Sequence, residues 1–159
     1  MNPKASCVLI FNDDGQVVMV NRRHKETTMS MPGGKVDPGE TMDIAACRET
    51  FEETGITLNP EDLVFIHQST CEGDVDYDVN FYITKSPVNK IPGSNESDIV
   101  ARYGSLKELL DTDFCDYNKR AFADLAKHWD GLVKNKTIIF PFDFLDILDE
   151  SLGSILPHP

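Results

Sequence analysis

The stretch GKVDPGETMDIAACRETFEETGI, residues 34–56, decides how this chain is read. Two turns, Pro32-Gly33-Gly34 and Asp37-Pro38-Gly39, lead into a run without helix breakers. Thr41 is placed to cap the start of a helix, with Asp43 in its first turn, and Gly55 is a fitting C-terminal glycine. A helix advances about 100° per residue, so with Glu49 at zero, Glu53 falls near 40° and Glu52 near −60°. Ile44, Cys47 and Phe51 then lie at about 160° to 220°. The spacing predicts three carboxylates on one face and an apolar stripe opposite, which anchors the helix on a core and aims the acids outward.

Three acids this close repel one another, and like charges at i,i+4 cost a helix roughly 0.2–0.5 kcal/mol per pair. Arg48, four residues before Glu52, relieves only part of that. A solvated acidic face is the bland explanation. The preceding glycines favour another, because bare backbone can approach a bound ion or phosphate closely. Glu40 stands at the helix entrance as a further acid. Clustered oxygens suit Mg²⁺, usually together with substrate phosphate and water.

Working outward, Cys7–Phe11 and Val17–Val20 are short apolar runs joined by Asn12-Asp13-Asp14-Gly15, a hairpin signal. Residues 21–34 read as a loop. Leu63–Thr70 is a candidate strand. Asp74–Phe81 alternates polar residues (Asp74, Asp76, Asp78, Asn80) with apolar ones as a half-buried strand does. Its Asp74/Asp76/Asp78 spacing also resembles the start of a calcium loop, but Val79 and Lys85 stand where the glycine and the bidentate glutamate belong. Residues 85–97 form a loop and Ile99–Gly104 another strand. Ser105-Leu106-Lys107-Glu108 is a capping box, and Phe122, Leu125, Ala126 and Trp129 place a longer helix over about 117–129. The tail from Thr137 to Leu156 is apolar and acidic by turns. The mixture predicts a single α+β domain over residues 1–159.

The 159 residues carry 15 basic and 27 acidic side chains, a net charge of −12, with a hydrophobic fraction of 40%. That fraction is enough for a core, and the charge argues against a nucleic-acid polymer or an anionic membrane as partner. No run approaches a membrane span, and Met1-Asn2-Pro3-Lys4 leads into an apolar run without a signal-peptide layout, so a cytoplasmic location is expected. Cys7, Cys47, Cys71 and Cys115 are irregularly spaced and read as free thiols. Arg22, Arg23, His24 and Lys25, with Lys35, form the one strongly basic stretch. It reads either as a solvated loop or as a contact for substrate phosphate. His67 and His128 read as structural.

Gly34, five residues, Glu40, seven residues, then Arg48-Glu49-Thr50-Phe51-Glu52-Glu53-Thr54-Gly55-Ile56 resembles the Nudix box, Gly-x5-Glu-x7-Arg-Glu-U-x-Glu-Glu-x-Gly-U, with U a bulky aliphatic residue. Thr50, at the first U, is the one departure and falls on a packing position. Met31–Val36 and Arg102–Leu109 also resemble segments flanking the box in that family. The resemblance implies a Nudix fold, a mixed β-sheet sandwiched between α-helices, with the box at 34–56 as loop, helix and loop. It implies hydrolysis of a pyrophosphate bond in a nucleoside diphosphate linked to another moiety, with divalent metal and an attacking water. Carried over by position, Gly33 through its carbonyl, Glu49, Glu52 and Glu53 would hold Mg²⁺, for which Mn²⁺ can substitute. Arg48 would orient the carboxylates and Glu40 would pair with it. Glu52 or Glu49 would serve as general base. Relatives supply one more acid from a later loop, for which Asp98 is the first candidate and Glu96 the second.

Phe114-Cys115-Asp116-Tyr117-Asn118 resembles a segment of MutT-like pyrophosphatases in which the asparagine reads a purine base. Asn118 offers both a donor and an acceptor, although it could equally cap the following helix. The leading expectation is therefore a small-molecule nucleotide, a (d)NTP or its oxidised form. ADP-ribose, a nucleotide sugar or a dinucleoside polyphosphate is the alternative, as is a non-catalytic nucleotide-sensing module. The assembly state, a homodimer included, is left open.

Overall fold

The computed structural model describes every residue except Arg23, His24, Glu26, Thr27 and residues 154–159, and describes Arg22 by its backbone alone. Among the described residues, six strands, β1 Lys4–Leu9, β2 Val17–Arg22, β3 Gly33–Lys35, β4 Leu63–Cys71, β5 Tyr77–Thr84 and β6 Ile99–Gly104, are interleaved with four α-helices. These are α1 Met42–Thr54, α2 Leu106–Leu110, α3 Cys115–Lys134 and α4 Phe144–Ser151. One sheet has the order β3-β1-β5-β4, and β2 pairs with β6 in a second. Within the first sheet β1 and β5 run parallel and the other pairs antiparallel.

Alternation along the strands builds two cores. Leu9 on β1, Met19 on β2 and Phe81 on β5 point into a cluster closed by α2, α3 and α4. Val8, Val18 and Tyr82, their neighbours on the same strands, point into a second cluster that contains Ala46 of α1. Helices thus cover both faces, and the expected sandwich is present.

The Asn12–Gly15 turn forms as expected, with Gly15 at φ 76° and the Asn12 N–H donating to the Gln16 carbonyl at 2.9 Å. The pairing beyond it does not. Phe11 meets Val17 in an isolated bridge, after which β1 joins β3 and β5 while β2 joins β6. A local turn is set by its own residues, but each strand has two faces to bury and takes more distant partners to do so. The strand expected from Asp74 begins only at Tyr77, with Asp74 exposed in the preceding turn. From Phe81 to Thr84 every residue is buried, because β5 lies between β1 and β4.

The capping box is present, with Glu108 accepting the Ser105 N–H at 2.9 Å. The second long helix outruns its expected bounds at both ends, from Cys115 to Lys134. The ambiguous tail folds back as α4. Phe144, fully buried, lies 5.4 Å from the ring of Trp129 and 6.0 Å from that of Phe11, centroid to centroid. Burying a phenylalanine contributes roughly 1.5–3 kcal/mol, which fixes this short helix against the core.

Candidate active site

Helix α1 carries the acids, and its orientation differs from the expected one. Ala45, Ala46, Thr50 and Thr54 form its buried face, whereas Ile44 is 45% and Phe51 46% exposed. The buried face is therefore the one beside Glu53, rotated from the Ile44/Cys47/Phe51 stripe. Small side chains there let the helix backbone settle close to β1 and β3, which bulky ones would prevent. Thr50 fills its packing position with no exposure, and its Oγ1 has no hydrogen-bond partner.

Arg48 organises the acids. Its Nε and Nη2 donate to the two oxygens of Glu40 at 2.8 and 3.0 Å, and its Nη1 donates to Glu49 at 2.9 Å and to Glu52 at 3.3 Å. Nη2 also donates to the Lys35 carbonyl at 3.0 Å, which ties the helix to the glycine loop. The bidentate guanidinium holds the Glu40 carboxyl down at about 2. Glu40 thus pairs with Arg48 as expected, and Arg48 bridges the loop, Glu49 and Glu52.

Glycine turns bring the loop onto these acids. Gly33 donates its N–H to Glu53 at 2.8 Å. A Cβ on Gly34 would stand 2.6 Å from Glu49 Cδ, so the Glu49 carboxyl occupies the space a side chain would take. Burial pushes Glu53 up to about 8; the charges of Glu49, Glu96 and Glu52 add to this, and the Gly33 N–H opposes it. Burial also raises Glu49, with Arg48 opposing and Glu52 and Glu96 adding. Glu49 and Glu53 are both desolvated beside two more acids, and the single Arg48 guanidinium is shared among Glu40, Glu49 and Glu52, which leaves the cluster short of positive charge.

That shortage and the oxygen-only donor set fit a hard divalent cation. Among the described residues no three acid, histidine or cysteine groups already converge as a cage. Glu52 lies on Arg48 and Glu53 on Gly33, so a cation would draw them together from these positions. Of the two loop candidates, Glu96 is close enough for its charge to raise Glu49 and Glu53. Asp98 sits half-buried just before β6.

A cavity of about 190 Å³ opens beside the same glycines, with Gly33, Gly34, Tyr77, Phe114, Tyr117 and Asn118 in its wall. Asn118 is not a helix cap. Phe114 holds the cap position, and Asn118 lies in the first turn of α3 with its N–H on the Phe114 carbonyl at 2.9 Å. Its buried side chain donates to the Leu109 carbonyl at 2.7 Å. Tyr117 is fixed by its hydroxyl, which donates to the Val79 carbonyl at 3.0 Å. Lys35 is exposed, its Nζ 5.8 Å from the centre of the Tyr77 ring. The side chains of Arg22 and Arg23 lie outside the described residues. Tyr77 and Cys7, which also lines the cavity, are not marked by the sequence as pocket residues, since nothing in their spacing separates a pocket wall from a core strand.

Elsewhere, His67 contacts Asp124 at 2.9 Å through Nδ1 and Ser69 at 2.7 Å through Nε2, and Arg120 donates to Ser69 at 3.3 Å. The group resembles a hydrolytic triad in outline. Arg120 occupies the serine oxygen, and Ser69 lines none of the described cavities, so these residues tie β4 to α3. His67 is structural, as expected. No helix among the described residues is long and apolar enough to cross a membrane.

The NUDIX domain model matches residues 1–125. A MutT-like protein of Streptomyces ambofaciens is 31% identical over 67 residues, which are 42% of this chain and 43% of that protein. An ADP-ribose pyrophosphatase of Bacillus subtilis (strain 168) is 39% identical over 59 residues, 35% of this chain and 32% of the relative. The matched segments thus span well under half the length of these curated relatives. The crystal structure of a MutT protein from Methanosarcina mazei Go1 superposes with a TM-score of 0.60 at 25% identity, covering 75% of this chain and 91% of that one.

Proposed function

Because the chain belongs to the NUDIX family, we propose that it is a divalent-metal-dependent pyrophosphohydrolase, with a nucleoside triphosphate, normal or oxidised, as its substrate. The observation that carries this reading is the set Glu49, Glu52 and Glu53, gathered by Arg48 and Gly33-Gly34 beside a cavity of about 190 Å³. Glu49, Glu52, Glu53 and the Gly33 carbonyl would hold Mg²⁺ or Mn²⁺, with Glu96 or Asp98 adding an acid from the later loop. When bound, the metal neutralises bridging phosphate and lowers the pKa of a coordinated water.

The chain's own residues do the rest. Arg48 holds the carboxylates at a fixed spacing, and Glu40 holds Arg48. Glu52 is the favoured general base over Glu49, because it is more exposed, 39% against 19%, and its contact with Arg48 is longer. It can turn to take a proton from water at little cost. Phe114, Tyr117 and Asn118 receive the base, Asn118 through the polar capacity left by its bond to Leu109. Lys35, exposed beside Tyr77, would meet the phosphates, a role for which Arg22 and Arg23 are candidates from the sequence alone.

Phosphate or pyrophosphate release with Mg²⁺ across a nucleotide panel tests the reading. Turnover of a triphosphate supports it. Turnover confined to ADP-ribose, a nucleotide sugar or a dinucleoside polyphosphate would move the substrate class, and the Bacillus relative's name makes ADP-ribose the first of these to try. Tight nucleotide binding without turnover would make the chain a sensing module. Glu53→Gln should cost orders of magnitude in kcat, and near-normal kcat would refute the metal assignment.

A further inference from the structure

The loop carrying Glu96 is fastened to the end of α1 by more than packing. A helix leaves its last carbonyls without partners in the helix itself; Gly55 takes up that of Phe51, and residues 93–95 take up those of Glu52 and Thr54. Gly93 N–H donates to the Thr54 carbonyl at 2.8 Å and Asn95 N–H to the Glu52 carbonyl at 3.0 Å. The Asn95 side chain reaches the Phe51 carbonyl at 3.5 Å. Gly55, at φ 77°, makes this approach possible, since a Cβ there would lie 2.6 Å from the Gly93 carbonyl oxygen.

Ser94 occupies the joint. Its hydroxyl donates to the Glu52 carbonyl at 3.3 Å and accepts the Glu96 N–H at 3.0 Å. One oxygen therefore connects the backbone of Glu52 to the backbone of Glu96. The tie joins the last turn of the helix that carries Glu49, Glu52 and Glu53 to the residue bearing the loop acid. We propose that Ser94 is a positioning residue: its hydroxyl registers the Glu96 loop on the end of α1 and so sets where Glu96 stands relative to Glu49 and Glu53. The proposal rests on the reading of that acid cluster as a divalent-cation site. Without the hydroxyl, Glu96 keeps its charge and the Gly93 and Asn95 bonds still hold the loop on α1, but the direct tie from the Glu96 N–H to Glu52 is lost. Groups that orient metal ligands typically contribute about 10–100-fold in affinity.

The test is Mn²⁺ binding to the full chain, read from the loss of the free-ion electron paramagnetic resonance signal, with thermal midpoints recorded in parallel. Glu96→Gln should weaken binding about tenfold or more, and Ser94→Ala by a comparable factor with little change in thermal midpoint. Ser94→Thr, which restores the hydroxyl, should recover binding. Ser94→Cys, close in shape with a weaker donor, gives a second variant should the alanine fold poorly, and it should fall between. In the Glu96→Gln background Ser94→Ala should have no further effect, because both changes act through one group. An equal loss in both backgrounds would overturn the proposal, as would normal Mn²⁺ affinity in Ser94→Ala while Glu96→Gln is weakened. Normal Mn²⁺ affinity in Glu53→Gln would instead refute the cation site on which it rests.

Discussion

Gly33 and Gly34 are adjacent, yet replacing them should fail in different ways, and Gly34→Ala isolates the chemistry. The added methyl would sit 2.6 Å from Glu49 Cδ and 2.7 Å from its Oε2. Carbon atoms settle at about 3.5–4.0 Å, so the Glu49 carboxyl must retreat by about 1 Å. It cannot do so freely, because Arg48 holds it at 2.9 Å and is itself locked to Glu40. The clash falls on the end of a side chain and not on backbone, so the fold should tolerate it. A misplacement of about 1 Å at a reacting centre costs about 10²-fold, or about 2.7 kcal/mol of barrier. The expected result is a loss of about 10²-fold in kcat/KM with a thermal midpoint within a few degrees of wild type. Gly33→Ala is the contrast, since its methyl would meet the Ser6 carbonyl oxygen and lie 2.7 Å from Cys7 Cα. Those atoms belong to β1, which pairs with β3 at this point, so this variant should lose the fold itself. Metal-dependent phosphate release and a thermal melt on both proteins decide the matter. Wild-type kcat/KM in Gly34→Ala would show that the carboxyl does not need its place against the bare Cα.

Thr50→Val removes a fully buried hydroxyl that has no partner, so it should stabilise by about 1 kcal/mol and raise the thermal midpoint by about 2–4 °C, with kcat unchanged; a lower midpoint would mean that the hydroxyl is bonded. The carboxyl of Glu40 is held near 2, below its ordinary 4.5, so its contribution to stability is complete above pH 4.5 and disappears as the pH falls towards 2. Glu40→Gln should therefore flatten that part of the acid-unfolding curve, and an unchanged pH dependence in chemical denaturation would refute the pairing. Burial pushes the Cys7 and Cys47 thiols up to about 12 and about 11. Both should resist iodoacetamide at pH 7.5 in the folded protein and react on unfolding, as peptide mass spectrometry can follow; rapid modification of either in the native state would contradict this.

The family box was legible because its chemistry is local. Arg48, Glu49, Glu52 and Glu53 sit within two turns of one helix, and helical geometry alone puts the acids together. Gly34 is likewise demanded by a contact within the motif, to Glu49, and Gly55 by the left-handed turn that ends its helix. Asn118 showed the limit of spacing, since a cap and a first-turn pocket residue share the same place in a sequence, and only the Leu109 carbonyl tells them apart. Strand partners were out of reach for a similar reason. The Asp-Gly turn specifies a reversal, but the partner of β1 is chosen by β5, more than sixty residues away.

The orientation of α1 shows why an apolar stripe can mislead on a functional helix. Reading Ile44, Cys47 and Phe51 as the anchor assumes that burial area decides which side faces inward. Here approach distance decides. Gly33 N–H must reach Glu53, and Gly34 must give up its side-chain space to Glu49, so the helix backbone has to lie close to β3. Only Ala45, Ala46, Thr50 and Thr54 allow that contact, and Ile44 and Phe51 are left nearly half exposed as a result. Exposing two large apolar side chains costs about 1.5–3 kcal/mol for each fully buried equivalent forgone. The fold accepts that cost at the helix where the acids are held against the loop, while α3 buries Phe122, Leu125 and Trp129 in the ordinary way.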